Sequence, residues 1–318
     1  MPPLQRYGRS AAAQPRAPAH QPARMPIDRR SIRSSRPQHA TSRSPGKRLR
    51  RGDRPRGPAP PPPRGGGAPT DPRRDAPASG TKTPVTRVLI LDASLHRDVY
   101  RPDEHWRALL GAVPADAVHL PSGRAIPPLD GYTHLIVTGS EASIVEPADW
   151  YEPAAETVRR AAGAGLRVLG SCWGHQLLAL ALSGPAFVRR SPTPEVGWIE
   201  VQRTERDELL ADLPDRWFVF ASHFDEVVDP PAPWRALARS PRCAVQAMRW
   251  GDRPVWGVQA HPEIDPPTAR VLLEGFLRYA PRHTAVVRPA LAAAPRDDRT
   301  ARPLVARFLG PCRGGPPC

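Results

Sequence analysis

Leu166 to Leu169 form a short apolar run that passes without a spacer into Gly170-Ser171-Cys172-Trp173-Gly174, and a helical pattern from Gln176 to Leu182 follows. This is the G-x-nucleophile-x-G layout of a strand-to-helix turn, in which small flanking residues let a strained backbone pass. The helix that follows aims its free N–H groups and the positive end of its dipole at the sulfur of Cys172, which favours thiolate over thiol. The N–H of Trp173 is placed to stabilise an oxyanion. Taken alone, the glycine bracket is equally compatible with a buried structural cysteine, a common fate of that residue.

The surrounding pattern gives the fold class. Val88 to Leu91 and Leu135 to Val137 are further short apolar runs that read as buried strands. Helical spacing covers Glu104 to Val113 and Trp150 to Ala164, the latter ending at Gly165, a C-cap residue. Short buried strands alternating with helices predict an α/β fold with a mostly parallel central sheet and helices on both faces. After Gly184 the runs Val196 to Val201, Trp217 to Phe220, Ala236 to Ala238, Ala244 to Met248 and Val255 to Val258 follow one another with few helices between them, so this section is expected to be more antiparallel. A helix at Thr268 to Tyr279 is expected to close the domain.

Composition sets the domain boundaries. Residues 1–84 hold 18 of the 44 prolines, and 19 Lys or Arg against 4 Asp or Glu, so the whole net charge of +15 resides there. That segment has no sustained apolar period and is expected to be a disordered basic tail able to bind polyanions non-specifically. Residues 282–318, rich in Pro, Arg and Gly, are expected to be a low-complexity C-terminal tail. The catalytic domain is then 85–281. The four cysteines, at 172, 243, 312 and 318, form no C-x-x-C pair, so no metal site or disulfide framework is expected. No run of about 18 apolar residues is present, so no membrane span is expected and the cytoplasm is the expected location.

Two distant segments decide the reading of Cys172. Gly170-Ser171-Cys172-Trp173-Gly174-His175-Gln176 resembles the G-x-C-x-G-x-Q nucleophile motif of class I, triad-type glutamine amidotransferases. Val258-Gln259-Ala260-His261-Pro262-Glu263 resembles that family's late H-P-E motif, 89 residues on and in the family's order. Ser222-His223-Phe224-Asp225-Glu226-Val227 and Glu195-Val196-Gly197-Trp198 are similar to two further family stretches. The resemblance covers about 85–280 and is to stand-alone, single-domain members, namely the amidotransferase domain of GMP synthase and the γ-glutamyl peptidase-like relatives. An α/β-hydrolase would place its acid before its histidine; here the order is reversed.

The resemblance implies a triad of Cys172, His261 and Glu263. It implies oxyanion and substrate contacts from Ser140, Trp173, Gln176, Ser222 and His223, and structural turns at Gly139, Gly170 and Gly174. Ser140 departs from a pair of glycines common at that point. The implied activity is cysteine-dependent hydrolysis of glutamine or a γ-glutamyl amide through a glutamyl thioester, with no cofactor. The chain would serve as a glutaminase subunit for a separate synthase, or as a free-standing γ-glutamyl hydrolase; a catalytically inactive binding subunit is the remaining alternative.

Overall fold

The computed structural model describes residues 85–310. The expected basic tail 1–84, and Cys312 and Cys318, lie outside the described residues. Nine strands form one sheet: β1 (Val88–Asp92), β2 (Ala115–His119), β3 (His134–Val137), β4 (Arg167–Ser171), β5 (Val188–Arg203), β6 (Arg216–Val227), β7 (Trp234–Arg239), β8 (Ala247–Trp250) and β9 (Val255–Val258). Their spatial order is β2-β1-β3-β4-β9-β8-β7-β5-β6. Pairing is parallel from β2 through β9 and antiparallel from β9 through β6, so the two textures read from the sequence are two ends of one sheet.

Side chains alternate across the strands, as a pleated backbone requires. Leu89, Leu91, Leu135, Val137 and Val168 pack on one face beneath α2 (Tyr151–Ala164) and α3 (Trp173–Ser183). Val88, Ile90, Ile136 and Leu169 pack on the other face with Trp106 and Leu110 of α1 (Pro102–Leu110). The closing helix α4 (Pro266–Tyr279) starts at Asp265, whose carboxylate accepts the N–H of Thr268 at 2.9 Å, and its first turn carries proline, which forfeits no helical hydrogen bond there. Helix α3 begins at Trp173, three residues ahead of the periodic run and directly after the turn at Cys172. No helix among the described residues is long and apolar enough to cross a membrane.

Part of the expected C-terminal tail is structured. Residues 284–292 form α5 (Thr284–Ala292) and residues 301–309 form α6 (Ala301–Leu309). Leu304, Val305 and Phe308 of α6 are buried against the same layer as Trp106 and Leu169. Arg167 on β4 fastens this helix by donating to the carbonyls of Phe308 at 2.6 Å and Arg307 at 2.9 Å. Helix α5 lies over β5, where Ala290 sits against Gly197, and it buries Val287 beside Leu272 and Leu273 of α4. Apolar burial by these few side chains outweighs the Pro- and Arg-rich composition.

Candidate active site

Strand β4 delivers Cys172 to the carboxyl end of the parallel section, where a turn has to be made at once for α3 to pack back on the sheet. Cys172 takes φ 50°, ψ −106°, a conformation costly for a residue with a side chain. The turn is held from both sides: the N–H of Cys172 donates to the Val258 carbonyl at 2.8 Å, and that of Gly174 to Thr138 at 3.1 Å. The glycine bracket has a steric cause. A Cβ on Gly170 would come within 2.5 Å of the Gly174 backbone, and one on Gly174 would collide with the carbonyl of Val137.

The partner of β4 in the sheet is β9, with Ser171 level with Val258. The chain leaving β9 therefore crosses in front of the sulfur. There His261, whose N–H is anchored on the Phe220 carbonyl at 2.8 Å, hydrogen-bonds Glu263 through Nδ1 at 2.8 Å. Both side chains are buried. The remaining lone pairs of Glu263 accept hydrogen bonds from the hydroxyls of Tyr100 at 2.7 Å and Ser171 at 3.2 Å. Gly139 completes the enclosure: a Cβ on it would lie 2.5 Å from Cε1 of His261 and 3.1 Å from the Tyr100 hydroxyl.

The electrostatics follow from this packing. Burial by itself would pull the His261 imidazolium down, but the adjoining Cys172 sulfur and the Glu263 carboxylate outweigh it, and His261 is raised to about 10. Burial pushes Glu263 up; the imidazole charge and the hydrogen bonds from His261 and Tyr100 overcome this and hold its carboxyl below the usual range. Tyr100, buried and beside Glu263, is raised well above an ordinary phenol and stays a donor. The pair of opposite shifts on His261 and Glu263 describes an imidazolium held by a carboxylate, the pattern expected of an acid–base centre.

A cavity of about 470 Å³ opens onto the sulfur. Ser140, Trp173, Gln176, Ser222 and His223 all line it together with Cys172. The N–H of Trp173 is at the first position of α3, outside the helical ladder, and so is available to an anion. The Ser222 carbonyl accepts from the Cys172 thiol at 3.7 Å, and the Ser222 hydroxyl is buried without a protein partner. Gln176 donates to the carbonyl of Asp225 at 2.8 Å and to Gln259 at 3.2 Å, tying the Cys172 turn to the two other motif segments. Asp225 in turn accepts from the Ser143 hydroxyl at 2.6 Å and the Ile144 N–H at 3.0 Å, which fixes the loop that carries Ser140.

His223 touches the cavity but spends both ring nitrogens elsewhere, on the Asp225 carbonyl at 3.0 Å and Glu195 at 3.1 Å. Glu195 also accepts from Ser240 at 2.7 Å and Gln246 at 2.6 Å. Glu195, His223 and Cys243 come within 4.8 Å of one another, the spacing of a metal set. Their polar atoms are engaged by each other and by neighbouring residues, and burial pushes the Cys243 thiol up to about 12, away from the thiolate a metal needs. This cluster reads as a buried hydrogen-bond network that stiffens β5 and β6. His175 is fully buried behind the turn, in the space Gly257 leaves by lacking a Cβ, and burial lowers it to about 3. Tyr100 is the site residue that motif reasoning misses, and the charged, proline-flanked segment around it offers no periodic signal.

Residues 119–278 match the family model described as glutamine amidotransferase class-I. The chain is 41% identical over 143 residues to the GMP synthase [glutamine-hydrolyzing] of Aeropyrum pernix, covering 45% of this chain and 26% of that one. It is 34% identical over 149 residues to a GMP synthase [glutamine-hydrolyzing] subunit of Sulfolobus acidocaldarius, covering 47% of this chain and 77% of that one. The matched stretch spans only about a quarter to a half of the length of the A. pernix protein and of the corresponding subunit from Pyrococcus abyssi. In fold, a glutamine amidotransferase from Thermotoga maritima superposes with a TM-score of 0.61 at 22% identity, over 71% of this chain and 99% of that one. One from Methylobacillus flagellatus gives 0.56 at 21% identity, over 71% and 95%. With the family model spanning half of its length, the chain belongs to the class-I glutamine amidotransferases.

Proposed function

We propose that the chain hydrolyses the side-chain amide of glutamine or of a γ-glutamyl compound through a thioester on Cys172. The observation that supports this most directly is the meeting of three side chains at one end of the sheet: Cys172 after β4, and His261 with Glu263 after β9, the last two joined at 2.8 Å. The Cys172 thiolate adds to the amide carbon, and the oxyanion forms against the N–H groups of Trp173 and Ser140. Collapse breaks the C–N bond as His261 gives its proton to the departing amine. Water then enters. His261 takes a proton from it, the resulting hydroxide attacks the thioester, and the C–S bond breaks to release glutamate and the thiolate. Glu263 holds the imidazole in the required tautomer and stabilises its charged form.

The relatives named as subunits of GMP synthase favour one role for this chemistry: delivery of ammonia to a separate synthase subunit, in the cytoplasm. The volume of the cavity, about 470 Å³, favours the other, a free-standing γ-glutamyl hydrolase.

Cys172→Ala is expected to lower ammonia release from glutamine, or amine release from γ-glutamyl dipeptides, by about 10⁴-fold or more, since removing a triad nucleophile alone costs most of its catalysis. Far-ultraviolet circular dichroism should be unchanged. A variant that keeps more than about a tenth of the wild-type rate, well above what triad knock-outs retain, overturns the assignment.

A further inference from the structure

The cavity is larger than glutamine requires. Its volume of about 470 Å³ lies within the range of about 300–1,000 Å³ typical of small-molecule sites. Ammonia as the departing group would leave much of it unfilled.

A departing amine takes its proton from His261, so it lies on that side of the sulfur. The wall there comes from the loop after β1 and from α4, joined where Val99 packs into the space left by Gly275. Val99 lines the cavity next to Tyr100, whose hydroxyl is 3.3 Å from Nδ1 of His261. This wall is aromatic. His96 and Tyr279 stack at 4.1 Å between centroids with 5° between planes. Phe224 stacks on His283 at 3.8 Å and leans on Phe276 at 6.3 Å. His283 comes from the segment past α4, so the extension itself supplies part of the site; burial and the nearby Arg282 and Arg190 cations lower its pKa.

The acidic groups around the cavity are already satisfied. Glu146 and Asp225 pair with Arg190, and Glu141 accepts from the N–H groups of Leu95 and His96. The rings of this wall keep accessible area: Phe224 and Phe276 are half-buried and Tyr279 is exposed. Leu95 and Tyr279 at the mouth are each 43% exposed. Arg282, on the same wall, has no carboxylate partner among the described residues and donates Nε to His283 at 3.1 Å.

We propose that the His261 side of the cavity is a leaving-amine compartment for an aromatic group, so that the preferred substrates are γ-glutamyl amides of aromatic amines, aromatic amino acids included. This rests on the reading of Cys172 as nucleophile. A ring seated against Phe224, Phe276 and Tyr279 buries apolar area and meets ring edges and faces in the offset geometries that aromatic pairs favour. Arg282 is positioned at the mouth to meet the carboxylate of an aromatic amino acid.

The test compares kcat/KM of the full chain on glutamine, γ-glutamylglycine, γ-glutamylphenylalanine and γ-glutamylanilide. Both aromatic substrates are expected to exceed the first two by about tenfold or more, the discrimination that apolar contacts in a pocket supply. Tyr279→Ala and His283→Ala should each lower the aromatic-to-glutamine ratio several-fold, with thermal melting confirming that at least one variant is folded. γ-Glutamylphenylalanine ahead of the anilide supports the compartment with Arg282 taking the carboxylate; the anilide ahead supports it through the ring alone. Glutamine or γ-glutamylglycine matching the aromatic substrates overturns the proposal and leaves the thioester chemistry standing. Hydrolysis of none of the four overturns both.

Discussion

At the scale of single residues, the site turns on one imidazole kept charged in a buried place. His261 is raised to about 10 from an ordinary 6.5 because Cys172 and Glu263 surround it. The stability this contributes is complete below the ordinary value, where folded and unfolded chains are both protonated, and is lost as pH rises through about 10. The rate should follow the same limit: flat through neutral pH and falling near pH 10, where the imidazolium loses the proton it gives to the amine. A fall centred near 6.5 would contradict the pairing. In Cys172→Ala the sulfur is gone and burial remains, so the His261 proton should titrate at lower pH by NMR; an unchanged midpoint would show that the sulfur is not its partner. Residues 172, 261 and 263, which the motifs single out, are brought together by the fold, and their types and order are those the proposed chemistry requires. Tyr100 is not legible in the sequence, since its link to Glu263 exists only after α4 folds against the loop behind β1.

At the scale of elements, the periodic apolar segments are legible as strands and helices, and two that escape, β2 and α6, share one cause. Strand β2 buries only Val118 of its five residues, so it shows neither an apolar run nor a clean alternation. Helix α6 buries Leu304, Val305 and Phe308 among arginines and a proline, a stripe too thin to stand out from the composition around it. In both, a few buried side chains among polar neighbours decide the structure. Phe308 is fully buried, its ring against His134 at 5.1 Å. Phe308→Ala should therefore destabilise the protein by roughly 3–5 kcal/mol, as for other buried phenylalanines, measured by denaturant unfolding. A change below about 1 kcal/mol, the size seen for surface substitutions, would mean that α6 is not part of the cooperative core.

At the scale of the whole molecule, charge and chemistry are separated along the chain. The +15 lies entirely in residues 1–84, while every residue proposed for the site lies beyond that segment, between Leu95 and His283. Removing 1–84 should leave kcat/KM on a small substrate and the melting temperature unchanged, and should abolish salt-sensitive retention on heparin or DNA. A deletion that unfolds the rest would refute this division. Within the sheet, β9 is the last strand in the chain yet sits between β4 and β8. A ribosome therefore makes the cysteine 89 residues ahead of its histidine. Until β9 inserts, the nascent chain holds Cys172 at an open strand edge, with neither His261 nor Glu263 beside it. On the proposed chemistry the sulfur gains its base and its carboxylate only as the sheet is completed around it, so an interrupted or misassembled chain carries no armed nucleophile.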